Sequence, residues 1–198
     1  MIHGFLIDKY KMIAYIFKFI LWVFGWKVDQ NIPKEKSFII LVAPHTSNWD
    51  FIMGTMVIGS LRVKQTVLMK KEMFFFPLNY LLKALGAMPI NRKKSEKMVD
   101  YIADIFKEKD DFVFSITPEG TRSYVEKWKT GFYHIALKAN VPIVLGKIDY
   151  KKKRSGLSDV IYPSGDFEKD FKLIVSLLED VKGCNPELYN PKPANVKY

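Results

Sequence analysis

Short apolar runs alternate with segments of helical spacing along most of the chain. Apolar runs typical of buried strands lie at 37–42, 66–69, 86–90, 112–116, 142–149 and 160–162. Helical spacing is found at 48–61, 73–85, 95–107, 130–139 and 166–178, and residues 151–155 are expected to form a charged turn. Pro77 should kink or restart its helix, and Ser95 is expected to cap the next one. Because strands that alternate with helices form parallel sheets covered by helices, we predict an α/β fold with a mostly parallel central sheet flanked by helices.

The N-terminal stretch 10–26, YKMIAYIFKFILWVFGW, is apolar or aromatic on nearly all sides. As a helix it would be about 25 Å long, at or below the lower limit for crossing a bilayer. Lys11 and Lys18 project from nearly the same side, and tryptophans such as Trp22 are typical of membrane interfaces. This favours an amphipathic membrane-docking helix over a core helix with two snorkelling lysines.

We therefore divide the chain into three parts. Residues 1–30 are expected to form a membrane-associating helical segment, residues 31–184 the main domain, and residues 185–198, which contain three prolines, an irregular tail.

The chain is strongly basic, with a formal net charge of +10. Such a charge predicts an anionic partner: nucleic acid, an acidic membrane surface or a phosphorylated substrate. Nucleic acid is disfavoured, because the densest basic cluster, at 151–154, has few aromatic residues that could stack on bases. Cys184 is the only cysteine and no His-Glu-x-x-His motif occurs, so we expect no internal disulfide and no bound metal.

His45 and Asp50 follow the apolar run 37–42 directly, within the segment APHTSNWDF. On one continuous helix, residues five apart point about 140° away from each other. They meet only if His45 lies in the turn before the helix, Asp50 lies in its first turns, and Ser47 or Asn48 caps it. Asp50 would then bind one imidazole nitrogen and leave the other free to take a proton. Taken alone, the segment fits equally well a strand-to-helix turn whose polar groups satisfy the backbone.

Two further polar segments follow predicted strands. Residues 86–92, GAMPINR, end in Arg92, whose guanidinium can bind phosphate oxygens or be an ordinary surface charge. In residues 114–123, FSITPEGTRS, Glu119 and Gly120 help to turn the chain sharply, and Gly120 permits close backbone approach to a ligand. Thr121, Arg122 and Ser123 can then donate hydrogen bonds to an anion. No Gly-x-Ser-x-Gly motif is present, which disfavours an acyl-enzyme on serine.

Taken together and in order, these segments resemble the glycerolipid acyltransferase family that includes the 1-acylglycerol-3-phosphate acyltransferases. His45-x4-Asp50 is similar to the family's first motif, 86–92 to its second, 118–123 to its third and 141–144 to its fourth. Residues 129–132 are similar to a Lys-x-Gly-x segment that precedes the fourth motif. The resemblance covers roughly residues 38–145 and implies a glycerol-3-phosphate acyltransferase-like fold, with the acyltransferase domain at 31–184.

The resemblance also implies a mechanism. His45, oriented by Asp50, would act as general base on an acceptor hydroxyl that attacks the thioester of acyl-CoA or acyl carrier protein, with no cofactor beyond that donor. The resemblance assigns substrate binding to several further residues. Arg122 and Arg92 would bind the acceptor phosphate, Glu119, Gly120 and Thr121 would shape that site, and Lys70 or Lys71 would stabilise the oxyanion.

The expected acceptor is a lysophospholipid, with lysophosphatidic acid, which would give phosphatidic acid, as the default. Alternatives within the same chemistry are glycerol-3-phosphate, another lysophospholipid or an amino-acid lipid. An alternative without acyl transfer is a non-enzymatic membrane- or lipid-binding protein with the same fold. Anionic membrane lipids and acyl carrier protein are the expected partners, at the cytoplasmic face of the cell membrane, where the protein would be peripheral or monotopic.

Overall fold

The computed structural model describes residues 2–90 and 98–195, with side chains described for 11–89 and 98–195. Its helices are α1 (Ile2–Val23), α2 (Trp49–Ser60), α3 (Leu78–Ala84), α4 (Met98–Glu108), α5 (Gly131–Ala139) and α6 (Phe167–Leu178). Its strands are β1 (Lys27–Gln30), β2 (Phe38–Val42), β3 (Gln65–Lys70), β4 (Ala87–Ile90), β5 (Val113–Ile116), β6 (Ile143–Asp149) and β7 (Arg154–Ile161).

The strands form one sheet in the order β1-β7-β6-β2-β5-β3-β4. Every neighbouring pair is parallel except β6 and β7, which form an antiparallel hairpin. The predicted α/β fold with a mostly parallel sheet is confirmed. From β2 the chain moves to β3 on one side and later returns to β6 on the other, so the strand order reverses beside β2. In open α/β sheets, ligands bind outside the carboxyl ends of the strands at such a point.

Both faces of the sheet are covered, which explains why β2 is a continuous apolar run. Ile39 and Leu41 face a large cluster that includes Phe132 of α5 and Phe171 of α6. The alternate residues of β2 face a smaller cluster that includes Ile58 of α2. Because successive side chains of a strand point to opposite faces, a strand buried on both sides must be apolar at each position.

Two parts of the sheet differ from the sequence-based prediction. Strand β1 was not predicted, because its residues KVDQ are mostly polar, and it forms at the edge of the sheet through pairing with β7. The charged turn expected at 151–155 is present at 150–153, but the strand expected at 160–162 already begins at Arg154. Pairing with β6 makes this strand, and Arg154 is bound by Asp29 of β1 at 2.7 Å. Local hydrophobicity does not predict the pairing of β1 with β7 or of β7 with β6.

The other element boundaries are close to those predicted. The helix expected at 73–85 restarts after Pro77, as the sequence indicated, and a 3-10 turn, Lys71–Met73, precedes it. Ser95 lies outside the described residues, and α4 is described from Met98.

Helix α1 packs on α2 through one side only. The ring of Phe17 lies against Gly59, where a Cβ atom would be 2.8 Å from the ring, and Ala14 and Leu21 are buried. The opposite side of α1 leaves apolar side chains in solvent, namely Met12, Tyr15, Ile16, Phe19, Trp22 and Val23. Within residues 2–90 and 98–195, none of the helices has the length and hydropathy needed to span a bilayer.

The tail beyond residue 184 has little regular structure but lies against the domain. It contains a 3-10 turn, Pro186–Leu188, and Tyr189 is buried. The side chain of Asn195 accepts a hydrogen bond from the Trp128 amide and donates one to the Trp128 carbonyl. Residues 185–195 therefore contribute to the packing of the same domain.

Candidate active site

The loop between β2 and α2 brings His45 and Asp50 together. His45 lies in the loop and Asp50 in the first turn of α2, and His45 Nδ1 is 3.3 Å from Asp50 Oδ2. This is the arrangement that the five-residue spacing requires, with one residue before the helix and the other inside it.

Asp50 is held in place by further donors. Its Oδ2 atom accepts the backbone N–H groups of Thr46 at 2.7 Å and Ser47 at 2.8 Å. Its Oδ1 atom accepts the Tyr150 hydroxyl at 2.8 Å. Of the two predicted caps, Asn48 makes no side-chain cap bond, and the Ser47 hydroxyl accepts the Trp49 N–H at 3.2 Å. The carboxylate of Asp50 thus satisfies two backbone amides of the loop that leads into the helix.

Burial alone would raise the pKa of Asp50. Hydrogen bonds from His45, Ser47, Tyr150 and Thr46 outweigh burial and hold the pKa below its ordinary value. Asp50 is therefore a carboxylate at neutral pH, although its side chain is only 1% exposed.

The ionised Asp50 assigns the tautomer of His45. With Nδ1–H directed at the carboxylate, Nε2 carries the lone pair, and no hydrogen bond to Nε2 is formed within the described part of the chain. The imidazole is 17% exposed, so it is accessible to a ligand. Chemically, this pair can accept a proton from a hydroxyl placed at Nε2.

Glu119 lies behind the His45 backbone. It follows β5, which is the neighbour of β2, and its Oε1 atom accepts the His45 N–H at 3.0 Å. Its Oε2 atom is buried without a hydrogen-bond partner among the described residues, and burial raises the pKa of Glu119 to about 7. The sequence placed Glu119 in the acceptor site, and the structure places its carboxyl group in contact with the loop that carries His45.

The residues after Glu119 turn outward. Gly120 has a φ of +66°, and a Cβ atom there would lie 2.8 Å from Cε and Nζ of Lys129, so the turn suits glycine on both counts. Thr121 and Arg122 are exposed, and within the described residues Arg122 forms no ion pair. The guanidinium is thus available to an anion near the His45 loop.

Lys70 and Lys71, two further predicted site residues, lie farther along the sheet. Lys70 is the last residue of β3 and Lys71 begins the following 3-10 turn, and both are exposed. β3 is separated from β2 by β5. Arg92 lies outside the described residues. No group of three or more potential metal-binding side chains is found in the described part of the chain.

Comparisons with known proteins show the family to which the chain belongs. The family model described as Acyltransferase matches residues 26–144, more than half of the chain. The chain belongs to the acyltransferase family. Curated relatives include 1-acyl-sn-glycerol-3-phosphate acyltransferases from Haemophilus influenzae and Escherichia coli. The first is 26% identical over 62% of this chain and 53% of its own length, and the second is 29% identical over 62% and 52%.

A solved structure supports the fold of this chain. The 1-acyl-sn-glycerophosphate acyltransferase PlsC from Thermotoga maritima superposes with a TM-score of 0.58 and 20% identity, over 86% of this chain and 77% of that one. The alignments with the two bacterial sequences span about half the length of those relatives. The comparisons therefore place the chain in the glycerolipid acyltransferase family.

Two contacts of the candidate site were not predicted. Tyr150, which follows β6 as His45 follows β2, binds Asp50, and Asn185 in the tail binds Thr46. The Asn185 amide donates to Thr46 Oγ1 at 3.0 Å, and its side chain donates to the Thr46 carbonyl at 2.8 Å. A polar residue directly after a buried strand was a signal for Tyr150, whereas no local pattern marks Asn185.

Proposed function

We propose that the chain transfers a fatty acyl group from acyl-CoA or acyl carrier protein to the hydroxyl of a lysophospholipid. Lysophosphatidic acid is the simplest acceptor and would give phosphatidic acid. The observation that carries the proposal is the His45–Asp50 pair, with its 3.3 Å contact, at the carboxyl end of β2 beside the strand-order reversal. Family membership and the names of the bacterial relatives support the same chemistry.

In the proposed reaction, His45 Nε2 takes the proton of the acceptor hydroxyl while its oxygen attacks the thioester carbonyl carbon. The tetrahedral intermediate collapses as the carbon–sulfur bond breaks, and the imidazolium returns the proton to the departing thiolate. Asp50 stabilises the imidazolium through Nδ1–H. General-base catalysis of this kind is typically worth about 10²–10⁴-fold in rate.

The acceptor phosphate is assigned to the exposed guanidinium of Arg122, together with Arg92. Arginine binds phosphate oxygens in pairs through its planar fork of donors. The ammonium of Lys129, which lies against Gly120, adds positive charge to the same turn. Lys70 and Lys71 are assigned to the oxyanion, and Gly120 and Thr121 to the shape of the acceptor site.

We further propose that α1 lies on the cytoplasmic face of the membrane with its exposed apolar side in the lipid. Trp22 is 72% exposed and Phe19 is 62% exposed, one turn apart on the side that faces away from α2. Exposed Lys11 and Lys18 would bind anionic headgroups. A peripheral enzyme of this kind would meet acceptor lipids in the plane where they reside.

The test is an acyl-transfer assay of the purified protein with labelled acyl-CoA or acyl carrier protein. The acceptor panel holds lysophosphatidic acid, glycerol-3-phosphate, a phosphate-free lysolipid and an amino-acid lipid. His45→Ala is expected to abolish transfer to every acceptor. His134→Ala is the matched control, because His134 is exposed on α5 and packs on Phe167, and it should retain full activity. Arg122→Ala is expected to impair transfer mainly to acceptors with a phosphate monoester.

Two outcomes contradict the proposal. Full activity of His45→Ala would remove the proposed base. Absence of transfer by the wild-type protein to all acceptors, with vesicle binding intact, would favour a lipid-binding protein. Equal effects of Arg122→Ala on phosphate-bearing and phosphate-free acceptors would remove only its phosphate role.

A further inference from the structure

Tyr150 connects the His45–Asp50 pair to the neighbouring strand. It is the first residue after β6, and its hydroxyl donates to Asp50 Oδ1 at 2.8 Å. The other donors to this carboxylate are His45 and the amides of Thr46 and Ser47, which belong to the same loop. Among the described residues, Tyr150 therefore makes the one hydrogen bond to Asp50 that comes from outside the 45–50 segment.

We propose that Tyr150 is a positioning residue for acyl transfer, which acts by fixing the Asp50 carboxylate so that Oδ2 stays directed at His45 Nδ1. The inference rests on the proposed function. Three donors of the loop hold Oδ2, and the Tyr150 hydroxyl holds Oδ1, so any rotation about the Cβ–Cγ bond must also break the bond to Tyr150. Charged hydrogen bonds of this kind are among the strongest in proteins.

Tyr150 is held in place at its backbone and at its ring. Its backbone N–H donates to the Lys182 carbonyl at 2.9 Å. The ring of Trp26, just beyond the end of α1, meets the Tyr150 ring edge-on, with 5.3 Å between centroids and an angle of 88°. Aromatic pairs prefer such an arrangement. The hydroxyl therefore has a defined position relative to the sheet and to α1.

The charges around the contact keep it formed. Burial and the neighbouring Asp50 raise the pKa of Tyr150, so the hydroxyl stays protonated at physiological pH. His45 contacts the same carboxylate, and Glu119, behind the His45 backbone, and Cys184, close to Tyr150, are further titratable groups near this contact. The donor–acceptor direction is therefore the same throughout the neutral range.

The test compares Tyr150→Phe with Tyr162→Phe. Both changes remove one hydroxyl that donates to a carboxylate, but Tyr162 is exposed and binds Glu35, away from His45. Tyr150→Phe is expected to lower kcat by about 10-fold or more, with KM for both substrates unchanged, because the proposed role acts through Asp50 and not through substrate binding. The proton NMR signal of His45 Nδ1–H, assigned by its loss in His45→Ala, should move in Tyr150→Phe and stay in place in Tyr162→Phe.

A double-mutant cycle shows whether the effect passes through Asp50. In an Asp50→Asn background, Tyr150→Phe should lower kcat no further, because the group it positions is gone. Additive losses, or a Tyr150→Phe enzyme equal to wild type, would overturn the inference. If Tyr150→Phe does not fold, Trp26→Leu takes its place in the same cycle, and additivity there has the same meaning. Full activity of both His45→Ala and Asp50→Asn would instead overturn the proposed function.

Discussion

Asp50 and Glu119 are two buried carboxyl groups beside His45 in opposite surroundings. Asp50 accepts four hydrogen-bond donors, which lower its pKa against the effect of burial. Glu119 accepts the His45 amide at Oε1 but has no partner at Oε2, and burial raises its pKa to about 7. One carboxyl is ionised and the other is largely protonated in slightly acidic solution. His45 is therefore oriented by a single negative charge at its ring and a weakly charged group at its backbone.

Glu119 should make the stability of the protein depend on pH. Its pKa rises from the ordinary 4.5 in the unfolded chain to about 7 in the folded one. The folded state thus binds the proton more tightly, and stability falls as pH rises from about 4.5 to about 7. Glu119→Gln keeps an acceptor for the His45 amide and removes this loss. From pH 5 to pH 7.5, the urea-unfolding free energy of wild type should fall relative to that of Glu119→Gln, by on the order of 3 kcal/mol.

The control for this measurement is Glu126→Gln. Glu126 is exposed, so its replacement should leave the pH dependence of wild type unchanged. Parallel curves for wild type and Glu119→Gln would show that Glu119 titrates normally in the folded protein.

At the scale of elements, the contact between α1 and α2 depends on the absence of one methyl group. A Cβ atom at Gly59 would be 2.8 Å from two ring atoms of Phe17, whereas nothing lies within 4 Å of a Cβ atom at Gly54 in the same helix. Glycine has the same intrinsic cost in stability at both positions inside the helix. A comparison of the two positions therefore separates the effect of packing from that of helix propensity.

We expect Gly54→Ala to stabilise the protein and Gly59→Ala to do so less or to destabilise it. Alanine in a helix interior is favoured over glycine by about 0.5–1 kcal/mol. At position 59 this gain is offset by displacement of Phe17 and α1, for which overpacking costs of about 1–3 kcal/mol are typical. Chemical unfolding of the two variants measures the difference. Equal stabilisation by both would mean that α1 does not pack on Gly59 in solution.

Some elements of the fold could be predicted from the sequence and others could not. Strand β2 and the His45–Asp50 pair were predictable because apolar runs and close spacing act locally. Strand β1 was not predictable, because its polar residues become a strand only through pairing with β7. The start of β7 was not predictable either, because it directly follows a run of lysines. The contact of Tyr150 with Asp50 joins residues 100 positions apart, and no pattern of neighbours encodes it.

The whole molecule combines a formal net charge of +10 with an apolar side of α1 in solvent. Charge attracts the protein to an anionic surface over about 10 Å at 0.1 M salt, and apolar burial acts only on contact. We expect binding to vesicles with anionic lipid to weaken markedly when the salt concentration rises from about 0.05 M to about 0.5 M, because the added ions screen the charges. Binding to zwitterionic vesicles should be weaker and independent of salt. Co-sedimentation measures both.

A matched pair of variants isolates the apolar part. Trp22→Ser removes the most exposed aromatic side chain among residues 11–23 of α1 and should weaken binding to both kinds of vesicle by about 10-fold. Tyr101→Ser removes an exposed aromatic from α4, on the other face of the sheet, and should have no effect. Equal losses in the two variants would mean that α1 is not the surface in contact with lipid.

The hydrogen bonds between Asn185 and Thr46 have a consequence for the order in which the protein matures. Residue 46 emerges from the ribosome long before residue 185, so the segment next to the proposed base acquires these two bonds only after 139 further residues have been made. A nascent chain can assemble its sheet and still lack part of the support of the loop that carries His45. We therefore expect this loop to reach its final form after the strands of the sheet have been made.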